Sequence, residues 1–123
     1  MEETVMNEIQ EALCPLRYVL DIIGGKWKLP ILCILSDKTP KRYGEIKKKI
    51  PQITNMMLSQ SLKELEAQNI ITRIQYNEVP PHVEYILNDG LDELVRILED
   101  LGKWGISHML ENNLSFNCQN CRK

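Results

Sequence analysis

KRYGEIKKKIPQITNMMLSQSLKELEAQNIITRIQYNEVPPHVEYIL, residues 41–87, holds two helical repeats and then changes to strand alternation. In RYGEIKKKI, Tyr43, Ile46, Lys47 and Ile50 fall at i, i+3, i+4 and i+7, which puts three apolar side chains on one face of a short helix. Pro51 ends it. Thr54 then caps a longer helix over about 54–69, with Met57, Leu58, Leu62 and Leu65 as its apolar stripe and Asn55, Gln60, Lys63 and Glu64 toward solvent. Asn69 stands where a helix closes on a left-handed residue, a role asparagine tolerates. From Ile71 the period falls to two. Ile71, Arg73 and Gln75 lie opposite Thr72, Ile74 and Tyr76, and His82–Leu87 reads as the antiparallel partner. Pro80 and Pro81 donate no ladder hydrogen bonds, so they belong at the tip of a stiff hairpin.

Outward from this stretch the pattern is helical on both sides. Upstream, Leu16, Val19, Leu20 and Ile23 share helical spacing after Pro15, and Gly24-Gly25 breaks the repeat. A second apolar helix follows from about Lys26 to Ser36, with a turn at Asp37–Pro40. Downstream, Asn88 is expected to cap a final helix to about Asn112. Its Leu91, Leu94, Leu98, Leu101 and Gly105 repeat at 3, 4, 3 and 4, close to a heptad seam. The fold class expected is therefore mainly α with a small β-hairpin wing, a winged helix-turn-helix. The 123 residues suit one domain, with an ordered core over about 14–112 and a flexible tail over 113–123.

Composition narrows the function. Apolar residues are 43% and charged residues 26%, an ordinary globular balance. No apolar run approaches the roughly 18–20 residues that span a bilayer. The acidic start MEETVMNEIQEA lacks the features of a signal peptide, so a cytoplasmic location without membrane association is expected. The net charge of −2 hides an asymmetry: residues 26–75 carry ten basic and four acidic side chains, a net of +6, and the rest carries −8. A basic middle between acidic ends suits a polyanion on one face. An enzyme is disfavoured, because the chain offers only His82 and His108, on a wing and a terminal helix, with no nucleophile–base pairing and no phosphate loop.

Double-stranded DNA is the polyanion these elements fit. A major groove admits one α-helix. The helix at 54–69, roughly 24 Å long, presents Thr54, Asn55, Met56, Ser59, Gln60 and Lys63 in a form suited to base edges. Asparagine and glutamine pair with adenine, and methionine meets a thymine methyl. Lys41, Arg42, Lys47, Lys48 and Lys49 are placed to neutralise phosphates, and Asn77 and His82 to let the wing reach the neighbouring groove or backbone. The competing reading is a winged-helix module that docks protein, which favours a neutral recognition face.

The chain resembles the HxlR family of bacterial winged-helix regulators from about Cys14 to Gly105. The matching segments are Cys14-Pro15, IGGKWKLPIL (23–32), KRYGEIKKKIPQIT (41–54), LSQSLKELEAQNII (58–71) and EVPPHVEYIL (78–87). The resemblance implies a homodimeric DNA-binding transcriptional regulator whose first and last helices build the dimer interface. Three positions depart from the family pattern. Met56 stands where Arg or Lys is usual, Asn69 replaces a glycine, and Gly90 in Leu87-Asn88-Asp89-Gly90 is displaced by one place. Some relatives sense oxidants through a cysteine matching Cys14, which makes a redox-sensing thiol one reading of that residue and a small buried apolar residue the other. Cys33 lies on an apolar helix. Cys118 and Cys121 have the spacing of half a zinc site but no second pair, so a loose tail, no metal and no cofactor are expected.

Overall fold

The computed structural model describes residues 14–115, in which five helices surround one three-stranded antiparallel sheet. Helix α1 (Pro15–Ile23) begins with proline, whose missing N–H costs nothing in a first turn. It ends at Gly24, whose amide donates to the Leu20 carbonyl at 2.7 Å. A Cβ on Gly24 would stand 2.2 Å from that oxygen, and Gly25 adopts φ +97°, so the turn demands both glycines. Helix α2 (Lys28–Leu35) follows. It starts two residues later than the apolar pattern suggests, because the turn at Gly24-Gly25 runs on to Trp27, which stands as the N-cap.

Lys41–Arg42 is a strand, β1, and not the start of the short helix. Helix α3 therefore covers Tyr43–Lys49, and the longer helix α4 covers Asn55–Ala67 with Thr54 as its cap. Strands β2 (Ile71–Tyr76) and β3 (His82–Leu87) stand where the alternation places them, in register from Ile71↔Leu87 to Tyr76↔His82. β1 pairs with the other side of β3 through Lys41↔Tyr85 and Arg42↔Glu84. The hairpin is thus a three-stranded sheet of order β1-β3-β2. Two residues are too few to show a period, so β1 left no trace in the pattern. Its effect is to cover what would otherwise be an open edge.

The core lies between the helices and the inner face of this sheet. Ile31 and Leu35 of α2, Ile46 of α3, Leu58, Leu62 and Leu65 of α4 and Ile71 of β2 are fully buried. Each contributes about 1.5–3 kcal/mol by leaving water. Asn69 closes α4 at φ 60°, with Ile70 N–H donating to the Leu65 carbonyl at 3.0 Å.

Asn88 does not cap the last helix. Its side-chain Nδ2 donates to the Asn69 carbonyl at 2.7 Å, and its side-chain oxygen accepts from the Thr72 hydroxyl, which ties the ends of β2 and β3 to the close of α4. Helix α5 (Asp92–Glu111) begins after Leu91, and Asp92 and Glu93 in its first turn complement the helix dipole. The expected seam divides along its length. Leu91, Leu94, Val95 and Leu98 pack against the core, whereas Leu101 is exposed.

Candidate nucleic-acid interface

Helices α3 and α4 are joined by a turn whose two isoleucines point inward. Ile50 and Ile53 are buried, Gln52 takes a left-handed φ of 71°, and the Ile53 amide donates to the Ile50 carbonyl at 3.4 Å. Thr54 Oγ1 then accepts from the Met57 amide at 3.1 Å, satisfying one unpaired donor at the start of α4. A further tie comes from Tyr43 of α3. Its hydroxyl lies 3.0 Å from the Asn55 carbonyl, 3.2 Å from Asn55 Oδ1 and 3.2 Å from Ser59 Oγ. The tyrosine thereby holds the angle between the two helices, a role absent from the sequence reading because periodicity marks its ring as core.

Two charge effects meet at this corner. Lys47, Lys48 and Lys49 occupy the last turn of α3, where cations suit the negative end of the helix dipole. The free N–H groups of the first turn of α4 begin only a few residues later, and they attract anions. Beyond the cap, Met56 is 81% exposed, a large apolar side chain left in water at the head of the helix. Asn55 is exposed but engaged by Tyr43, so its carboxamide is oriented before any ligand arrives. Gln60 donates to Glu64 Oε1 at 2.9 Å, which leaves its own carbonyl facing outward as an acceptor. Ser59 is half-buried and Lys63 exposed.

Lys26 lies over the Trp27 ring, 4.9 Å from its centroid, and the other nine cations of the middle segment divide into two groups. Lys28 bridges Glu64 at 2.7 Å, joining α2 to α4; its hydrogen bond lowers the Glu64 pKa, helped by one from Gln60. Lys38 pairs with Asp92 at the start of α5. Lys41, expected on phosphates, is instead buried and held by Asp37 at 2.8 Å. Its place on β1 beside Tyr85 turns it into the sheet, which removes it from the interface. Burial pushes the Asp37 carboxyl up, but hydrogen bonds from Lys41 and from the Thr39 amide and hydroxyl outweigh it, and the pKa falls to about 2. In contrast Arg42, Lys47, Lys48, Lys49, Lys63 and Arg73 have no carboxylate within ion-pair distance among the described residues.

The wing carries its own cluster. His82 stacks on Tyr76 with ring centroids 4.5 Å apart, and its Nε2 lies 3.4 Å from Glu84 and its Nδ1 3.7 Å from Glu78. A hydrogen bond to Glu84 raises the Tyr76 phenol. His82 therefore braces the loop end of the β2–β3 ladder, beneath the tip of the wing. Asn77 and Val79 are exposed beyond.

Cys14 is exposed at the residue preceding α1, which departs from the reading of it as a buried apolar residue. Cys33 is half-buried on α2, and Cys118 and Cys121 lie outside the described residues. Among the described residues no three His, Cys, Asp or Glu side chains are gathered as for a metal ion. No described helix is long and apolar enough to cross a membrane. Arg73 was not singled out as a site residue; the available signal was its position on the same strand face as Ile71, an unusual place for a cation.

Residues 22–113 match the model of the HxlR-like helix-turn-helix family. The chain is 46% identical over 99 residues to an HTH-type transcriptional regulator of Halalkalibacterium halodurans, covering 80% of this chain and 86% of that one. It is 50% identical over 90 residues to the HTH-type transcriptional regulator YtcD of Bacillus subtilis, covering 73% and 71%. Among solved structures, the redox regulator HypR in its reduced form superposes with a TM-score of 0.73 at 40% identity, covering 80% of this chain and 98% of that one. The architecture, the family match over residues 22–113 and this level of identity lead to one conclusion: the chain belongs to the HxlR-like family of helix-turn-helix transcriptional regulators.

Proposed function

We propose that this regulator acts in the cytoplasm by binding double-stranded DNA sequence-specifically as a homodimer. In this reading α4 enters the major groove, where Thr54, Asn55, Met56, Ser59 and Gln60 face base edges. Arg42, Lys47, Lys48, Lys49 and Lys63 meet phosphates, while Asn77, with His82 behind it, reaches the flanking groove or backbone. The observation that carries the reading is the set of cations without carboxylate partners around the capped start of α4, beside an exposed Met56. A protein-docking module has no need of so much uncompensated charge.

The homodimer rests on the terminal helices. α1 exposes Leu16, Tyr18 and Leu20, and α5 exposes Ile97, Leu101, Trp104 and Leu110. Apolar surface of this extent on two helices favours a second copy.

Fluorescence anisotropy on the DNA upstream of the gene and its neighbours, over a salt series, tests the proposal. The expected result is specific binding whose logarithm falls steeply with log salt, with a preference for a pseudo-palindrome of half-sites about one helical turn, or a multiple of it, apart. Lys48→Ala is expected to weaken all sequences alike, and Met56→Ala to change the preferred base at one position in each half-site by about 1–3 kcal/mol. No preference over random duplex points to the docking module.

A thiol response through Cys14 is a second element of the proposal. Its support is the exposure of Cys14 and the likeness to HypR, a redox regulator solved in oxidized and reduced forms. Mass measurement with and without mild oxidant, with Cys14→Ser as control, checks it. Unchanged DNA affinity after complete thiol modification rejects it.

A further inference from the structure

Between α4 and the sheet lies a cleft of about 400 Å³ lined by Ser59, Lys63, Glu66, Arg73 and Tyr85. The three helix residues fall at i, i+4 and i+7, one stripe of α4. Arg73 and Tyr85 are cross-strand partners in β2 and β3, so their side chains share a face. One step along the strands the same face buries Ile71 and Leu87. Arg73 thus emerges where the core face runs out, against the recognition helix and not on the solvent side of the wing.

The charges in this cleft are not balanced. The Arg73 guanidinium has a hydrogen bond to Gln75 Oε1 at 3.2 Å, and neither it nor Lys63 reaches a carboxylate within ion-pair distance, although Glu66 lines the same walls. Two cations facing one concavity repel each other, and an entering anion relieves that repulsion. Placement identifies the anion. The major groove and the flanking minor groove of a duplex are separated by one sugar-phosphate strand. A protein with α4 in the first and its wing over the second must meet that strand in the space between helix and wing, where this cleft lies.

We infer that the cleft seats a backbone phosphate of the bound DNA, with the Arg73 guanidinium and the Lys63 ammonium as its ligands. The inference rests on the docking of α4 proposed above and adds Arg73 to the contact set. A guanidinium fork offers two parallel donors to two phosphate oxygens, and a short strand holds it more rigidly than a helix surface holds a lysine. Glu66 keeps the cleft at one net positive charge, which weakens binding relative to a cleft without it.

The test compares wild-type protein with Arg73→Gln and Glu66→Gln in anisotropy titrations on a specific and a random duplex over a salt series, with far-UV circular dichroism as the check on folding. Arg73→Gln is expected to reduce the magnitude of the log–log salt slope by about 0.9 and to weaken binding roughly five- to tenfold at about 0.1 M salt, equally on both duplexes. Glu66→Gln, which removes an exposed charge and keeps the shape, is expected to tighten binding on both. An unchanged slope for a folded Arg73→Gln, or no tightening by Glu66→Gln, overturns the phosphate seat while leaving the docking of α4 intact. A loss confined to the specific duplex overturns it too, because Arg73 then reads sequence. Wild-type protein that binds neither duplex overturns both readings together.

Discussion

Helices α4 and α5 are both amphipathic, and they end in opposite situations. The 13 residues of α4 put Leu58, Leu62 and Leu65 wholly inside the core, while the 20 residues of α5 include none that is buried. The inner stripe of α5 touches the core through Leu94, Val95 and Leu98, and its remaining apolar positions stay in water, Leu101 at 57% and Trp104 at 65% exposure. α1 repeats this situation on a smaller scale. The difference separates a helix buried in the core from one whose outer apolar face is uncovered, the face assigned above to a second copy. On the reading proposed above, α4 presents side chains to a groove and α5 sets how far apart two such helices stand.

The comparison breaks most visibly at the core end. Leu58→Ala removes a fully buried core side chain of α4, and is expected to cost about 2–5 kcal/mol in urea unfolding, a large part of the stability of a small domain. A cost below about 1 kcal/mol would show that α4 is not the packed element described. At the other end, Leu101→Glu leaves the core untouched and places a charge on the unpartnered face of α5. The expected outcome in sedimentation equilibrium is a dimer dissociation constant raised at least tenfold, with helix content per chain preserved at high protein concentration. An unchanged dimer would move the interface away from α5.

The smallest effect belongs to the turn between α2 and β1, outside both helices. Asp37 has its pKa lowered to about 2 by Lys41 and Thr39 in spite of burial, so its share of stability is present above the ordinary value of 3.8 and is lost as pH falls through the folded value. The carboxylate is half exposed, so solvent screening keeps this contribution small. Comparing wild type with Asp37→Asn in thermal melts across pH 2–5 is expected to show a gap that closes toward the acid end. A constant gap would assign the loss to hydrogen bonding alone.

Much of the fold was legible along the chain. The strands at 71–76 and 82–87, the cap at Thr54, the left-handed Asn69 and the Gly24-Gly25 turn were readable because each depends on neighbours within a few residues. Strand β1 was not, since two residues carry no period and their pairing with Glu84 and Tyr85 is a contact across more than forty positions. The same limit governed the candidate site. The basic middle was visible as a count, but a count does not tell Lys48, open to solvent, from Lys41, buried against Asp37. Nor does it place Arg73 beside Lys63, because that meeting depends on how β2 crosses α4.

By itself, the sequence determined the order of the helices and of the β2–β3 hairpin, the family signature and the polarity of α4, Met56 included. These follow from periodicity, turn chemistry and residue type, all of which act locally. Only the tertiary structure decided which cations remain without carboxylates, which leucines of α5 stay uncovered and which strand residue shares a cleft with α4. Charge pairing and burial act through space, and at these positions the partners lie too far apart along the chain for any local pattern to join them.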